Sequence, residues 1–188
     1  FSGDNVVAVR VDNHDQPNCR WYSGSGIYRH IYLLKTNPTH VTQWGTYVTA
    51  QLNDNMKRAD IAVEVQVEGA QKATKVRAIF LDEFGKKVGK SQATLAKSNH
   101  KNEQGKTVST FKADLTLSNP ILWSIERPAL YKVVTEVLNG SKVVDSYETT
   151  FGVRTFKFDA QKGFSLNGKS MKINGVCQHH DLGCLGAA

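Results

Sequence analysis

Apolar and polar residues alternate with a period of two along most of the chain. Ile61, Val63, Val65 and Val67 are separated by Ala62, Glu64 and Gln66. Phe111, Ala113, Leu115 and Leu117 are separated by Lys112, Asp114 and Thr116, and Val7, Val9 and Val11 repeat the pattern near the start. Successive side chains of a strand point to opposite faces, so this spacing predicts half-buried strands with one apolar face. No long stretch carries a helical stripe.

Turn chemistry punctuates these runs. Asn139-Gly140 separates Val133–Leu138 from Lys142–Tyr147, and Asn167-Gly168 separates Phe164–Leu166 from Met171–Ile173. Asn-Gly suits a type I′ turn, whose two central residues both need positive φ, so two hairpins are expected. Between residues 39 and 155 the pattern yields seven strands: Val41–Leu52, Asp60–Glu68, Lys75–Asp82, Gly89–Ala96, Thr107–Leu117, Leu130–Leu138 and Lys142–Val153. Seven short strands with turns between them predict an all-β, seven-stranded immunoglobulin-like β-sandwich. The segment holds no cysteine, so the sandwich lacks an intersheet disulfide. Tyr131 opens the sixth strand, where a tyrosine corner would set its hydroxyl against upstream backbone. Trp123, just before it, is expected to pack in the core.

The two ends fit this domain less well. Residues 1–38 hold two strand-like pieces, Asn5–Asp12 and Ile27–Leu34, joined by a polar and aromatic loop, and two strands alone are marginal in water. Residues 156–188 hold the second Asn-Gly hairpin and then an apolar strand within Lys172–Asp181. Both ends are expected to be parts of larger domains. The first residues lack the basic start and apolar stretch of a signal peptide. With 188 residues, the chain is shorter than a barrel enzyme of about 250.

Composition narrows the class. Hydrophobic residues make up 40% and charged residues 22%, which favours a packed core over disorder. No apolar run approaches the ~20 residues of a membrane-spanning helix. The net charge is +7, but basic residues are spread thinly, with one modest cluster at Lys86, Lys87, Lys90, Lys97 and Lys101. They alternate with apolar residues, which predicts a solvated strand face rather than a nucleic-acid surface. Cys19, Cys177 and Cys184 have neither the number of a disulfide framework nor the spacing of a zinc site.

Three features could carry chemistry. Asn18-Cys19-Arg20-Trp21-Tyr22-Ser23-Gly24-Ser25-Gly26-Ile27-Tyr28-Arg29 brings aromatic rings beside Gly and Arg, a surface that stacks on sugars or bases; it lacks the Lys-Ser/Thr of a phosphate loop. His179-His180-Asp181 places two histidines on opposite faces of an extended segment, a poor metal pair, although a single histidine there can hydrogen-bond a hydroxyl-rich ligand. Glycoside hydrolysis needs two carboxyl groups, and nothing in the pattern singles out a pair among the 17 acidic residues.

Taken together, three motifs resemble glycoside hydrolase family 2. The stretch from Asn18 to Arg29 is similar to the closing strand of that family's N-terminal sugar-binding domain. Leu122-Trp123-Ser124-Ile125-Glu126-Arg127-Pro128-Ala129-Leu130-Tyr131 resembles the W-S-P-E-x-P-x-L-Y stretch of its immunoglobulin-like domain, with Ile125 where proline is usual. Phe151-Gly152-Val153-Arg154, Phe164-Ser165-Leu166-Asn167-Gly168-Lys169 and Gly175-Val176-Cys177-Gln178-His179-His180-Asp181 resemble the passage into its catalytic barrel. The last is most similar to the β-galactosidase branch.

The resemblance implies three parts. Residues 1–38 would be the C-terminal end of a jelly-roll sugar-binding domain. Residues 39–155 would be a complete immunoglobulin-like domain, and residues 156–188 the lead-in and first strand of a (β/α)8 barrel. It also implies a retaining glycosidase without a cofactor, acting on β-galactosides or related β-glycosides, whose two catalytic glutamates lie on barrel strands beyond Ala188. On this reading the chain has no catalytic or metal-binding residue of its own and serves as a structural spacer. His179 would contact the sugar at the end of the first barrel strand, and Asn18 and Arg20 are candidate contacts, although some relatives carry an acidic residue near there. The resemblance suggests a periplasmic or extracellular protein. A free-standing sandwich that binds carbohydrate or protein is the alternative.

Overall fold

The structure is a computed structural model that describes Gly3, residues 6–12, His14, Gly26, Ile27 and residues 30–176. The chain divides into two compact units, Lys35–Ile173 and a second made of Phe1–Leu34 with Asn174–Ala188. Among the described residues there is no helix. In the larger unit the strands are β1 (His40–Leu52), β2 (Arg58–Glu68), β3 (Thr74–Leu81), β4 (Lys87–Lys101), β5 (Thr107–Ser118), β6 (Tyr131–Asn139) and β7 (Lys142–Phe151). Three short strands follow: β8 (Phe156–Asp159), β9 (Gly163–Leu166) and β10 (Lys169–Ser170).

The first seven strands hydrogen-bond in the order β1-β2-β5-β4-β3-β6-β7, antiparallel throughout. Strand β4 serves two layers. Its first half, to Ala93, pairs with β3, and its second half, from Thr94, pairs with β5. This makes one layer of β1-β2-β5 and one of β3-β6-β7, the arrangement of an immunoglobulin-like sandwich. At the opposite edge, the Asp145 carboxylate of β7 accepts the Val41 N–H of β1 at 2.8 Å, and the Asn37 amide donates to the Val144 carbonyl. These bonds satisfy polar backbone where two sheet edges meet without a ladder.

The period-two pattern is the core. Ile61, Val63, Val65 and Val67 of β2 face Val76, Ala78 and Phe80 of β3 and Val133 and Val137 of β6, all fully buried. Each such aliphatic side chain taken out of water contributes roughly 1.5–3 kcal/mol. Alternate residues of β2 and β5 face outward, where Lys112 lies 3.3 Å from Glu64. The expected tyrosine corner is present: the Tyr131 hydroxyl accepts the Ile121 N–H at 2.8 Å, and its ring stacks on Phe151. Trp123, expected in the core, stands outside the core cluster and is half-buried. Its neighbours pull it to the edge of the sandwich, as described below.

Two turns share one design. In the β3–β4 hairpin the Asp82 carboxylate accepts the N–H groups of Phe84 and Lys86. In the β4–β5 hairpin the Asn102 side-chain oxygen accepts those of Gln104 and Lys106. Gly85 and Gly105 close the two turns at φ 79 and 74. Of the two Asn-Gly turns, Asn167 and Gly168 both have positive φ, as type I′ requires. The other differs. Asn139 pairs with Lys142 in the ladder, so Gly140 and Ser141 are the central residues. Only Gly140 has positive φ, the pattern of type II′.

Other expectations are revised. Strand β4 runs to Lys101 rather than Ala96, because its polar end is held by ladder bonds to β5 rather than by an apolar face. The hairpin after Asn167-Gly168 pairs β9 with Lys169–Ser170, not with Met171–Ile173, and β8 joins it as a third strand. The strands expected over Asn5–Asp12 and Ile27–Leu34 form no ladder among their described residues. Val6, Val7 and Leu33 there are exposed, and an apolar alternation with no partner strand forms no ladder.

Replacing Tyr131 with Phe removes the acceptor of the Ile121 N–H while keeping the ring. Chemical denaturation is expected to show a loss of about 1–3 kcal/mol. An unchanged midpoint would show that the corner contributes nothing.

Candidate functional site

The residues expected to meet sugar, Asn18, Arg20 and His179, lie outside the described residues, as do Trp21, His180 and the three cysteines. Within the larger unit, the segment that carries the family-like motifs converges on Trp123. The Trp123 N–H donates to the Val153 carbonyl at 2.9 Å, and the Asn167 amide donates to the Trp123 carbonyl at 2.9 Å. The Arg154 guanidinium lies over the indole, 4.6 Å from the ring centroid. On Gly152 an added Cβ would stand 3.2 Å from the indole, so any larger residue there would push the ring by a few tenths of an ångström.

Asn167 ties the clasp to the hairpin. Its side-chain oxygen accepts the Thr155 N–H at 3.0 Å, and its own N–H donates to the Thr155 carbonyl at 2.8 Å. A single side chain thus joins the loop before β6, the segment after β7 and the β9–β10 turn. In the sequence Trp123 and Asn167 stand apart, one as a core ring and one as a turn residue. Their joint role arises from contacts 44 residues apart. Arg154 and Gly152 were legible only as part of a motif.

The loop from Ser124 to Tyr131 is pinned at its turn. The Ser124 N–H donates to the Arg127 carbonyl at 2.9 Å, and the Ser124 hydroxyl accepts the Arg127 N–H. The Glu126 carboxyl is held below the usual carboxylate range by its own backbone N–H first and by the Ser124 hydroxyl second. Arg127 also pairs with Glu83 of the β3–β4 turn.

An open cleft of about 410 Å³ lies at the other end of the sandwich, lined by Pro38, Glu68, Ala70, Asn99, Lys106 and Thr107 among others. Glu68 is the one carboxylate in its lining. It is engaged by Lys106 at 3.2 Å, with His40 at 3.9 Å. Retaining hydrolysis uses two carboxyl groups about 5–5.5 Å apart. This cleft has the size of a small-molecule site but not the acid–nucleophile pair of a glycosidase. Among the described residues no three His, Cys, Asp or Glu side chains cluster as metal ligands.

Residues 39–154 match the family model of glycosyl hydrolases family 2. The chain belongs to that family. It is 47% identical over 186 residues to the beta-galactosidase BoGH2A of Bacteroides ovatus, covering 98% of this chain and 21% of that protein. It is 30% identical to a beta-glucuronidase of Formosa agariphila, covering 93% of this chain and 20% of that one. A solved family 2 structure from Bacteroides cellulosilyticus superposes with a TM-score of 0.77 at 37% identity, covering 94% of this chain and 24% of that chain. The chain therefore spans about a fifth of the length of these relatives. The immunoglobulin-like sandwich expected from the strand pattern is the fold observed.

Asn167→Ala removes the bonds to Trp123 and Thr155. It is expected to cost about 1–3 kcal/mol and to speed amide exchange at Thr155 before global unfolding; equal exchange in both proteins would refute the clasp. Asp159 caps the β8–β9 turn, and its carboxyl is held below the usual range by the N–H groups of Lys162 first and Gln161 second. A depressed carboxyl contributes stability that is complete above the unfolded value of about 4 and is lost as pH falls through the folded value. Exchange of the Gln161 and Lys162 amides, corrected for intrinsic pH dependence, should rise in that acid window, and Asp159→Asn should flatten the rise.

Proposed function

We propose that this chain is a non-catalytic spacer of a longer family 2 glycosidase that hydrolyses β-galactosides. The sandwich at 39–155 would be its complete immunoglobulin-like domain. Residues 1–38 would close a sugar-binding jelly-roll, and residues 156–188 would lead into the catalytic barrel. The galactoside assignment draws on the 47% identity to a beta-galactosidase across nearly the whole chain. The two catalytic glutamates would be supplied by barrel strands outside these 188 residues. His179, Asn18 and Arg20 would be sugar contacts in the assembled enzyme.

The observation that carries the spacer reading is the Trp123 clasp. A sandwich that only needed to be stable could end at β7. Here an indole, a guanidinium and an amide join its rim to the β8–β10 hairpin that follows. Such a joint fixes the direction in which the chain leaves the sandwich. Precise direction matters to an enzyme whose substrate groups must be held within a fraction of an ångström.

The purified 188-residue chain is expected to show no turnover of chromogenic β-galactosides. Hydrolysis that co-purifies with the chain through successive separations and survives as a single species would overturn the spacer reading.

A further inference from the structure

The clasp at Trp123 holds the β9–β10 turn at one place. A single attachment is a pivot, and a direction is fixed only when a second stands away from it. Three consecutive residues of the turn each meet a different part of the sandwich rim. Asn167 reaches Trp123 and Thr155. Lys169 sets its charge toward the Glu126 carboxyl, which its own backbone N–H first and the Ser124 hydroxyl second already hold low. Between them, an added Cβ on Gly168 would stand 3.1 Å from the Cε methyl of Met56, so the missing side chain leaves room for that methyl.

The β1–β2 turn is built to present Met56. Its N–H donates to the Asn53 carbonyl at 2.9 Å. The Asn53 and Asn55 side-chain oxygens accept the N–H groups of Arg58 and Lys57, and the Lys57 carbonyl accepts the Asn119 N–H at 2.7 Å. Met56 itself stands at φ 57, left-handed backbone that few residues other than glycine adopt. It is half-buried, while Asn53, Asp54, Asn55 and Lys57 around it are exposed. Glycine or asparagine takes this conformation more readily. The turn therefore does not require methionine, whereas the contact over Gly168 uses its full length.

We propose that Met56 is the second anchor of the hairpin and a redox-sensitive one: a hydroperoxide converts its thioether to the sulfoxide and frees the β9–β10 turn from the β1–β2 turn. The sulfur lone pair attacks one peroxide oxygen, and the O–O bond breaks as the S–O bond forms. The other oxygen takes up the proton of the first and leaves as water. Sulfur loses two electrons and the peroxide gains them. The product carries a polar oxygen beside the methyl, in a contact made by that methyl and a glycine, and sulfoxides disrupt apolar contacts of this kind. A hydroperoxide is small enough to reach a half-buried sulfur without an open binding face. That the freed turn changes the direction of the chain rests on the spacer function proposed above, while the contact and its oxidation rest on the geometry alone.

Hydrogen exchange on the 188-residue chain, its thiols alkylated, tests this before and after hydrogen peroxide. Peroxide should speed exchange of the Asn167 and Met171 amides, which donate to the Thr155 and Phe164 carbonyls, at least about five-fold, and leave Val63 and Val65 unchanged. Methionine sulfoxide reductases of both stereochemical classes should restore the slow rate. Met56→Leu keeps an apolar side chain of similar volume, so it should exchange as the untreated protein does and no longer respond to peroxide. Met56→Gln puts a polar group in place of the thioether and should exchange fast without peroxide. Met171, the only other methionine, is present in both variants. A protein with Met56 fully converted to sulfoxide that exchanges as the reduced one does would overturn the proposal. So would a Met56→Leu protein that responds to peroxide like the wild type, or peroxide that oxidises Met171 and spares Met56. None of these readouts depends on turnover, so their failure leaves the spacer reading standing, and turnover by the chain would sink that reading alone.

Discussion

Two sheets can share one core only if every second residue of each inner strand is apolar and small enough to interlock with its counterpart. β2, β3 and β6 come close to that condition: valine, isoleucine, alanine and Phe80 are fully buried, Tyr131 adds a second ring, and Thr135 of β6 is the buried polar exception. Without that contact the remaining features have nothing to attach to. The turn carboxylates and amides order loops only between strands already in register. Asp145 can reach the Val41 N–H only because the layers bring the two edges together. The tyrosine corner likewise needs Tyr131 to stand at the head of a strand whose inner face is buried.

The sandwich manages its edges in three ways. At one side β4 passes from one layer to the other, so each of its halves has a partner. At the other side a carboxylate and an amide side chain bond backbone groups that no ladder reaches. On β1 the bulge at residues 42–45 breaks the regular edge that another strand could extend. The same bulge leaves Trp44 exposed at a positive φ. At the far end the Trp123 clasp turns the rim of the sandwich into a joint with the hairpin that follows.

The fold was legible because alternation is a local signal. The β2 and β5 patterns identify strands, and the hydrophobic faces they imply can only be covered by each other. Tyr131 was legible because a corner needs a tyrosine at one place, the head of the sixth strand. What escaped reading had no local signal. The end of β4, Lys97 to Lys101, is polar on both faces and is a strand only because β5 supplies hydrogen bonds. Trp123 reads as core from its size, yet Gly152, Arg154 and Asn167 draw it to the rim. Asn139-Gly140 and Asn167-Gly168 are the same dipeptide with different turns, because the register of β6 against β7 places Asn139 inside the ladder.

By itself, then, the sequence determined the seven strands of the sandwich, the face each one buries, the family and the order of its motifs. These depend on residue type at short spacing, where side-chain size and polarity decide. The tertiary structure alone decided which strand serves both layers, where Trp123 goes, and that Trp44 stands at a positive φ in the β1 bulge. Each of these depends on partners from distant parts of the chain, and a backbone hydrogen bond or a packed ring takes its meaning from the partner it meets.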